Sequence, residues 1–446
     1  MERKVSKLPS DPGPAAWDAL LDPAPQYPCL EADTTADVVI VGAGFAGLAA
    51  ARRLHQLDPK QKIVVLEARR IAEGPAGRNS GFMIDIPHKL DSKDYASNLE
   101  DDLKQIAMNR EAIRFNCEAA EEYGMSDEAL NLSGKINAAA TERGVTNNQN
   151  YAHHLAELDE AHELLDAAAM QEICGTSYYQ GGLFTPGTAM IQPALFVRSV
   201  AQGLAEVGVV IFESSPVMSL DSEGQSWTVK TDKASISADK VILATNGHIE
   251  SFGFFQRRLM HIYLYASITR PLTKEEVSTL GGQARWGFTP ADPLGSTIRR
   301  ISGQGGDRIV VRNRFTWAPN RSVSDGKLAG IGEVHDRSFQ QRFPMLANVS
   351  MDQRWGGLLC LSRNGVPAFG ELEPGLYSAC CQNGLGTVMG TLSGKLAAEL
   401  AGGQASESLE AMQQFPDPVK LPPEPFSSIG ANAFMRWSEF RAGKEL

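Results

Sequence analysis

The hydrophobic period changes abruptly along ADVVIVGAGFAGLAAARRLHQL. Val38–Val41 is an unbroken β-branched run, as a strand buried on both faces requires. From Phe45 the apolar positions Leu48, Ala51 and Leu54 recur at helical spacing. A second apolar run, KIVVLEA (62–68), completes a strand–helix–strand unit of the size of a right-handed crossover. Residues 98–170 then read as mostly helical, in segments such as LEDDLKQIAMNREAIRFNCEAAEEYG and NYAHHLAELDEAHELLDAAAM. His153, His154 and His162 lie there and read as surface or helix-packing residues. SYYQGGLFTPGTAMIQPALF is turn-rich and aromatic, and a helix follows it to about Val207. Short strands come next (VVIFES, SWTVKT, KVILATN), and 261–318 alternates as strands with a hairpin at SGQGGDR. After a helix near 335–347 come WGGLLCLS, PAFGEL and GLYSACC, then a helix from about Leu385 to Leu400. Residues 1–36, rich in Pro, Asp and Ala, read as an extended arm anchored by Trp17 and Tyr27.

This order predicts an α/β chain: a Rossmann-type domain interleaved with an α+β domain built on an antiparallel sheet. The first domain is expected from 37–95, 180–255 and 350–405, and the second from 96–179 and 256–349. The arm (1–36) and a tail (406–446) flank them. At 446 residues, 43% hydrophobic and 21% charged, the composition is that of a folded globular chain. A net charge of −11 argues against nucleic acid or an anionic membrane as partner. Six scattered cysteines, without CxxC or paired-His spacing, predict neither a metal site nor a disulfide framework. No signal-like segment and no spanning run is present, so the expected compartment is the reducing cytoplasm.

The chemistry starts at Gly42-Ala43-Gly44-Phe45-Ala46-Gly47. Gly42 permits the strand-to-helix turn, Gly44 lets a pyrophosphate approach the helix N-terminus, and Gly47 lets helix and strand pack closely. Glu67 follows at the end of the next strand, where a carboxylate accepts hydrogen bonds from a ribose diol and repels a 2′-phosphate. This fingerprint alone serves NAD and FAD equally. Two later segments point to FAD. KVILATNG (240–247) is a strand end that closes over a nucleotide. GLYSACCQNGLGTVMGTLSGKLAAEL (375–400) is a second strand–glycine loop–helix unit, whose helix N-terminus suits the edge of a flavin that gains negative charge on reduction.

Together with ARRIAEGPAGRNSGF, the pair STIRRI and DRIVVRNRF, and RWGGLLCLSRNGVPAFG, these pieces resemble the D-amino acid oxidase superfamily of FAD enzymes. That superfamily includes glycine oxidase and sarcosine oxidase, and the pattern is most similar to the gamma-glutamylputrescine oxidoreductase group. The resemblance implies hydride transfer from an amine-bearing carbon to flavin N5, with hydrolysis of the imine to carbonyl and amine. It implies a small-molecule amine or amino-acid substrate, with O₂ or another electron acceptor. It assigns Gly42, Gly44, Gly47, Glu67 and Ala68 to the ADP half. Arg78, Asn79, Ser80 and Gly81 fall in the loop beside the flavin ring, and Val217 at the adenine. Ala244, Thr245, Asn246 and Gly247 fall at the nucleotide, and Asn383, Gly384, Leu385, Gly386 and Thr387 at the pyrimidine edge. Leu385 stands where many relatives carry a His, so oxidase and dehydrogenase both stay open.

On the substrate side, Arg299, Arg300, Arg312 and Arg314 crowd the hairpin wall, and a guanidinium is the natural clamp for a carboxylate. Arg300 matches an arginine of the related subgroup and is the first choice. Tyr263 and Tyr265 belong to a strand that lines the pocket in relatives, and His88 follows the flavin-side loop. No general base is assigned, since a neutral amine can lose a hydride without one. Some superfamily members tether the flavin through a cysteine near Cys360, but that residue is one position out of register, so non-covalent FAD is expected. The alternatives are oxidation of a CH–OH substrate such as a 2-hydroxy acid, with His261 as the wall histidine, and a non-catalytic flavin-binding subunit.

Overall fold

The computed structural model describes residues 2–87, 98–224 and 226–446. The predicted βαβ unit is present as Thr34–Val41, Phe45–Leu57 and Ile63–Leu66, and Val38, Val39 and Ile40 are wholly buried. These strands are the middle of a nine-stranded sheet. Val210–Phe212, Ile63–Leu66, Thr34–Val41 and Ser235–Leu243 run parallel, and Leu376–Cys380 joins the end of Ser235–Leu243 in the same sense. The helices Phe45–Leu57 and Val388–Ala401 pack against one another over this sheet. Gly394 makes that contact possible, because a Cβ there would meet the Ala46 carbonyl at 1.9 Å.

An eight-stranded sheet forms the second layer, in the order Met351–Ser362, Leu259–Thr269, Arg308–Trp317, Thr297–Ile301, Trp286–Pro290, Lys135–Ala139, Gly181–Thr185, Glu163–Asp166. Thr297–Ile301 and Arg308–Trp317 form the predicted hairpin. All pairings are antiparallel except that of Trp286–Pro290 with Lys135–Ala139. The fold is therefore the expected mixture of a parallel, helix-covered sheet and a largely antiparallel one.

Several expectations need correction. The stretch 98–170 is mostly helical, as Leu99–Glu122 and Glu142–Glu157, but these flank the buried strand Lys135–Ala139, which the pattern does not predict. The helix expected near 335–347 is Asp325–Arg342. Gly181–Thr185 and Met351–Ser362, grouped by sequence with the parallel sheet, hydrogen-bond into the other one. Their neighbours in sequence return to the first layer within a few residues, which local patterning does not register.

The arm is woven into both layers. Arg3–Lys4 pairs with Ser219–Glu223, and the amide of Gly356 donates to the Pro12 carbonyl. Trp17, in the short helix Ala16–Ala19, is buried, edge-on to Trp355 at 6.1 Å, and its indole donates to the Asn79 carbonyl at 2.9 Å. Among the described residues no helix is long and apolar enough to cross a membrane.

Candidate active site

A continuous cavity of about 300 Å³ runs between the two sheets, from the end of Thr34–Val41 to the wall made by the eight-stranded sheet. Its floor is the glycine turn. Gly42 has φ +105°, and a Cβ there would come within 2.8 Å of the Ala244 carbonyl. At Gly47 a Cβ would meet the Gly42 carbonyl at 1.8 Å, so only glycine lets the helix lie this close to its own turn. Gly44 differs: its backbone is extended, the nearest atom to a Cβ is 3.4 Å away, and it lines the cavity at the helix N-terminus. Ala43, Phe45 and Ala46 line it too, whereas Gly47 packs behind.

Glu67 closes this end. Its Oε2 accepts from the Ala43 amide at 2.9 Å and its Oε1 from the Arg69 amide at 3.0 Å. Burial pushes its carboxyl pKa up, and the two backbone donors oppose that shift. Ala68, Val217, Ala244, Thr245, Asn246 and Gly247 continue the wall. Further contributors carry no signal in the sequence. Lys7, Leu8 and Pro9 of the arm line the cavity, and so does His248. Burial first, then the Arg321 cation, lowers the His248 pKa to about 3, so the ring is neutral at physiological pH. Asn246 Oδ1 and His248 Nδ1 have no hydrogen-bond partner within the protein.

The loop Gly74–Gly81 bends over the middle of the cavity. Asn79 and Ser80 line it, while Gly81 (φ +78°) packs under Arg299, whose Nη1 donates to the Ser80, Gly81 and Ile191 carbonyls. Asn79 braces its own turn, accepting from the Gly81 amide at 2.8 Å. Arg78 also lines the cavity, but its guanidinium donates to the carbonyls of Glu73, Pro12, Gly13 and Gly356. Its charged donors therefore tie loop, arm and sheet together instead of reaching a flavin. Gly384, Gly386 and Thr387 line the cavity where the helix Val388–Ala401 begins, joined by Gln382. Asn383 and Leu385 do not. Asn383 Oδ1 accepts from the Ser362 amide at 2.7 Å, and Leu385 packs into the core.

From the eight-stranded sheet come Leu264, Tyr265, Ala266, Val310, Arg312, Trp355, Gly357, Leu358 and Leu359. Tyr265 is among the lining residues, its pKa raised by burial and lowered in part by the Thr316 hydroxyl. The other substrate-side candidates are elsewhere. Arg300 is buried away from the cavity, its Nη1 donating to the Gly281 and Gln283 carbonyls at 2.6 and 3.0 Å and its Nη2 facing Asp307. The register Arg300↔Ile309 fixes that position, while Thr297↔Arg312 brings Arg312 to the wall instead. The Tyr263 hydroxyl donates to the Ser10 carbonyl at 2.6 Å, away from the cavity. His261 pairs with Glu250 at 2.7 Å behind Gly247. His88 lies outside the described residues. Cys360 is fully buried beside Cys381 and His261, its thiol pushed well up by burial, and does not line the cavity.

A family model, DAO, described as FAD dependent oxidoreductase, matches residues 37–400. The chain belongs to the DAO family. This DAO-family enzyme is 26% identical to a probable oxidoreductase, OrdL, of Haemophilus influenzae, over 84% of each chain. It is 26% identical to the gamma-glutamylputrescine oxidoreductase of Escherichia coli, over 91% of this chain and 93% of that one. Among solved structures, glycine oxidase of Geobacillus kaustophilus superposes with a TM-score of 0.69 at 17% identity, covering 88% of this chain and 100% of the other. L-proline dehydrogenase from P. horikoshii gives 0.66 at 18%, covering 86% and 97%. These structures share the fold. The family's cofactor suits the residues present: a glycine helix N-terminus open at Gly44, a carboxylate at Glu67, a second helix N-terminus at Thr387, and two unpartnered polar atoms on the wall between.

Proposed function

We propose that this flavoenzyme oxidises the CH–NH bond of an amine or amino acid that carries a carboxylate. The observation that carries the reading is Arg312. Among the described residues it is the one charged side chain that the eight-stranded sheet contributes to the cavity wall. A guanidinium on that wall offers several donors to a carboxylate. The names of the relatives support the chemical class, since glycine, L-proline and gamma-glutamylputrescine each pair an amine with a carboxylate. FAD held along the glycine turn, Glu67 and the Gly384–Thr387 loop supplies the two-electron acceptor.

The protein's own part is orientation and dehydration. Arg312 fixes the carboxylate end, and Leu264, Val310, Leu358 and Leu359 surround the rest with apolar surface. An apolar, water-poor wall disfavours an ammonium, so the amine arrives in the neutral form from which a hydride can leave. His261, which CH–OH oxidation would need as a wall base, is paired with Glu250 behind Gly247. We further propose that FAD is held non-covalently, because Cys360 faces the core and Leu359 is the neighbour that lines the cavity.

Anaerobic bleaching of the bound flavin by amines, amino acids and 2-hydroxy acids tests the reading. Bleaching by amino-group substrates alone is expected, and bleaching by hydroxy acids alone overturns it, as does bleaching by none of them. In Arg312→Met, losing one charge-assisted hydrogen bond raises KM for carboxylate substrates roughly 10- to 100-fold and leaves carboxylate-free amines unaffected. Repeating the productive case in air with peroxide detection distinguishes oxidase from dehydrogenase.

A further inference from the structure

The C-terminal helix Phe426–Ala442 presents its bulky residues outward. Met435, Ser438 and Ala442 are its buried residues, and two contacts fix it to the strand Arg308–Trp317. The Trp317 indole donates to Ser428 at 3.0 Å, and Glu439 pairs with Arg314 at 2.5 Å. The opposite face carries Phe426, Ile429, Phe434, Trp437 and Phe440, exposed by 68, 63, 53, 57 and 85%. These positions recur at helical spacing, so they form one stripe. With Phe415 they include every exposed Phe and Trp among the described residues. Aromatic side chains of about 150–250 Å² each, exposed to this degree, leave on the order of 500 Å² of apolar surface from the four aromatics of the stripe, and Ile429 adds to it. That is at or above the largest patch a typical monomer shows.

The charges around the stripe identify its occupant. Within and just past the helix the exposed ionic side chains are Arg436, Arg441 and Lys444, all cationic, whereas Glu439 and Glu445 are turned inward. The Arg441 guanidinium lies over the Trp437 ring at 5.0 Å, as at the boundary between an apolar layer and a polar one. We propose that this helix seats the enzyme on a bilayer carrying anionic lipid headgroups, with the aromatic stripe in the headgroup–acyl boundary and the three cations among the phosphates. The net charge of −11, which argued against an anionic membrane, is a whole-molecule sum. Salt screens such fields within about 8–10 Å, so the local sign decides.

Co-sedimentation of the FAD-loaded full chain with phosphatidylcholine vesicles, with and without phosphatidylglycerol, tests this. The enzyme is expected to pellet with the anionic vesicles, less so as NaCl rises. The Trp437→Ser/Phe440→Ser variant is expected to lower partitioning roughly tenfold or more, with its flavin spectrum, melting temperature and turnover of soluble substrate unchanged. Arg436→Glu/Arg441→Glu should weaken the anionic-vesicle binding specifically. Absence of pelleting overturns the proposal, and so does pelleting that the Trp437→Ser/Phe440→Ser change leaves intact. A concentration-dependent dimer that this change abolishes, without vesicle binding, also overturns it and assigns the face to a second copy.

Discussion

Gly44 and Gly47 belong to one motif, yet alanine at each should fail in a different way. At Gly47 the new methyl meets the Gly42 carbonyl at 1.8 Å and its carbon at 2.9 Å, both backbone atoms of the turn. No side chain can rotate aside, so the helix must slide off the strand by more than an ångström. Overpacking of that kind costs about 1–3 kcal/mol or more. Gly47→Ala should therefore lower the melting temperature of the apoprotein by several degrees, at ~2–4 °C per kcal/mol. At Gly44 the methyl has 3.4 Å to its nearest neighbour, Ala76, and the backbone angle of −89° suits any residue. Removing glycine from an N-cap costs only about 0.5–1 kcal/mol. The Gly44 methyl does, however, project where the pyrophosphate must approach the helix N-terminus. Gly44→Ala should thus leave apoprotein melting within roughly 4 °C of the parent and weaken FAD binding by roughly tenfold, or ~1.4 kcal/mol. Differential scanning fluorimetry of apoprotein and titration of flavin fluorescence measure the two quantities separately. Equal losses of apoprotein stability in both variants would refute the reasoning, because the glycines would then serve only the turn. Unchanged FAD affinity in Gly44→Ala would refute the placement of the pyrophosphate.

The remaining predictions address residues whose roles the fold reassigns or restricts. Arg300→Met should destabilise by about 3 kcal/mol, by unpairing Asp307 and two carbonyls; KM of the folded fraction should not move, and a raised KM would restore Arg300 to the substrate site. Acid precipitation should release all the flavin into the supernatant, and yellow colour remaining with the pellet would show that Cys360 or another residue is linked to it. His335, buried between Ser267 and the Asn313 carbonyl, has a pKa lowered to about 3 by burial, like that of His248. A histidine whose pKa is lower folded than unfolded takes up its proton on unfolding, so its stabilising effect is complete above about pH 6.5 and fades as pH falls towards 3. Melting temperatures measured from pH 7 to 4.5 should fall less steeply in His335→Gln than in the parent, and parallel curves would contradict this.

The cofactor's half of the site was legible because its signals are local. A β-branched run, a change of period at Phe45 and three glycines occupy ten consecutive residues, Val38–Gly47, and Glu67 ends the next strand. Lys135–Ala139 was missed because pattern reading expects apolar residues inside. Lys135 and Asn137 are buried by pairing with one another, and Thr289 adds a hydrogen bond to Asn137. The choice between Arg300 and Arg312 depended on hairpin register, where a slip of one residue exchanges the faces. Both arginines occupy strands of similar composition, so only the hydrogen-bonded partners separate them. Lys7, Leu8 and Pro9 carry no local signal at all, since the surfaces that hold the arm are contributed from far along the chain.

Those distant surfaces impose an order on assembly. Val5 and Ser6 donate to carbonyls of Met218 and Ser251, Asp11 pairs with Arg69, and Pro12 accepts from Gly356. During synthesis the docking of residues 5–12 therefore cannot be completed until some 350 residues have followed them and the strand Met351–Ser362 has folded. Until then the wall that Lys7, Leu8 and Pro9 give the dinucleotide groove is held from one side only. Flavin loading and arm docking thus converge late in folding. A fusion that delays the arm should then yield protein that is complete in its sheets and poor in colour.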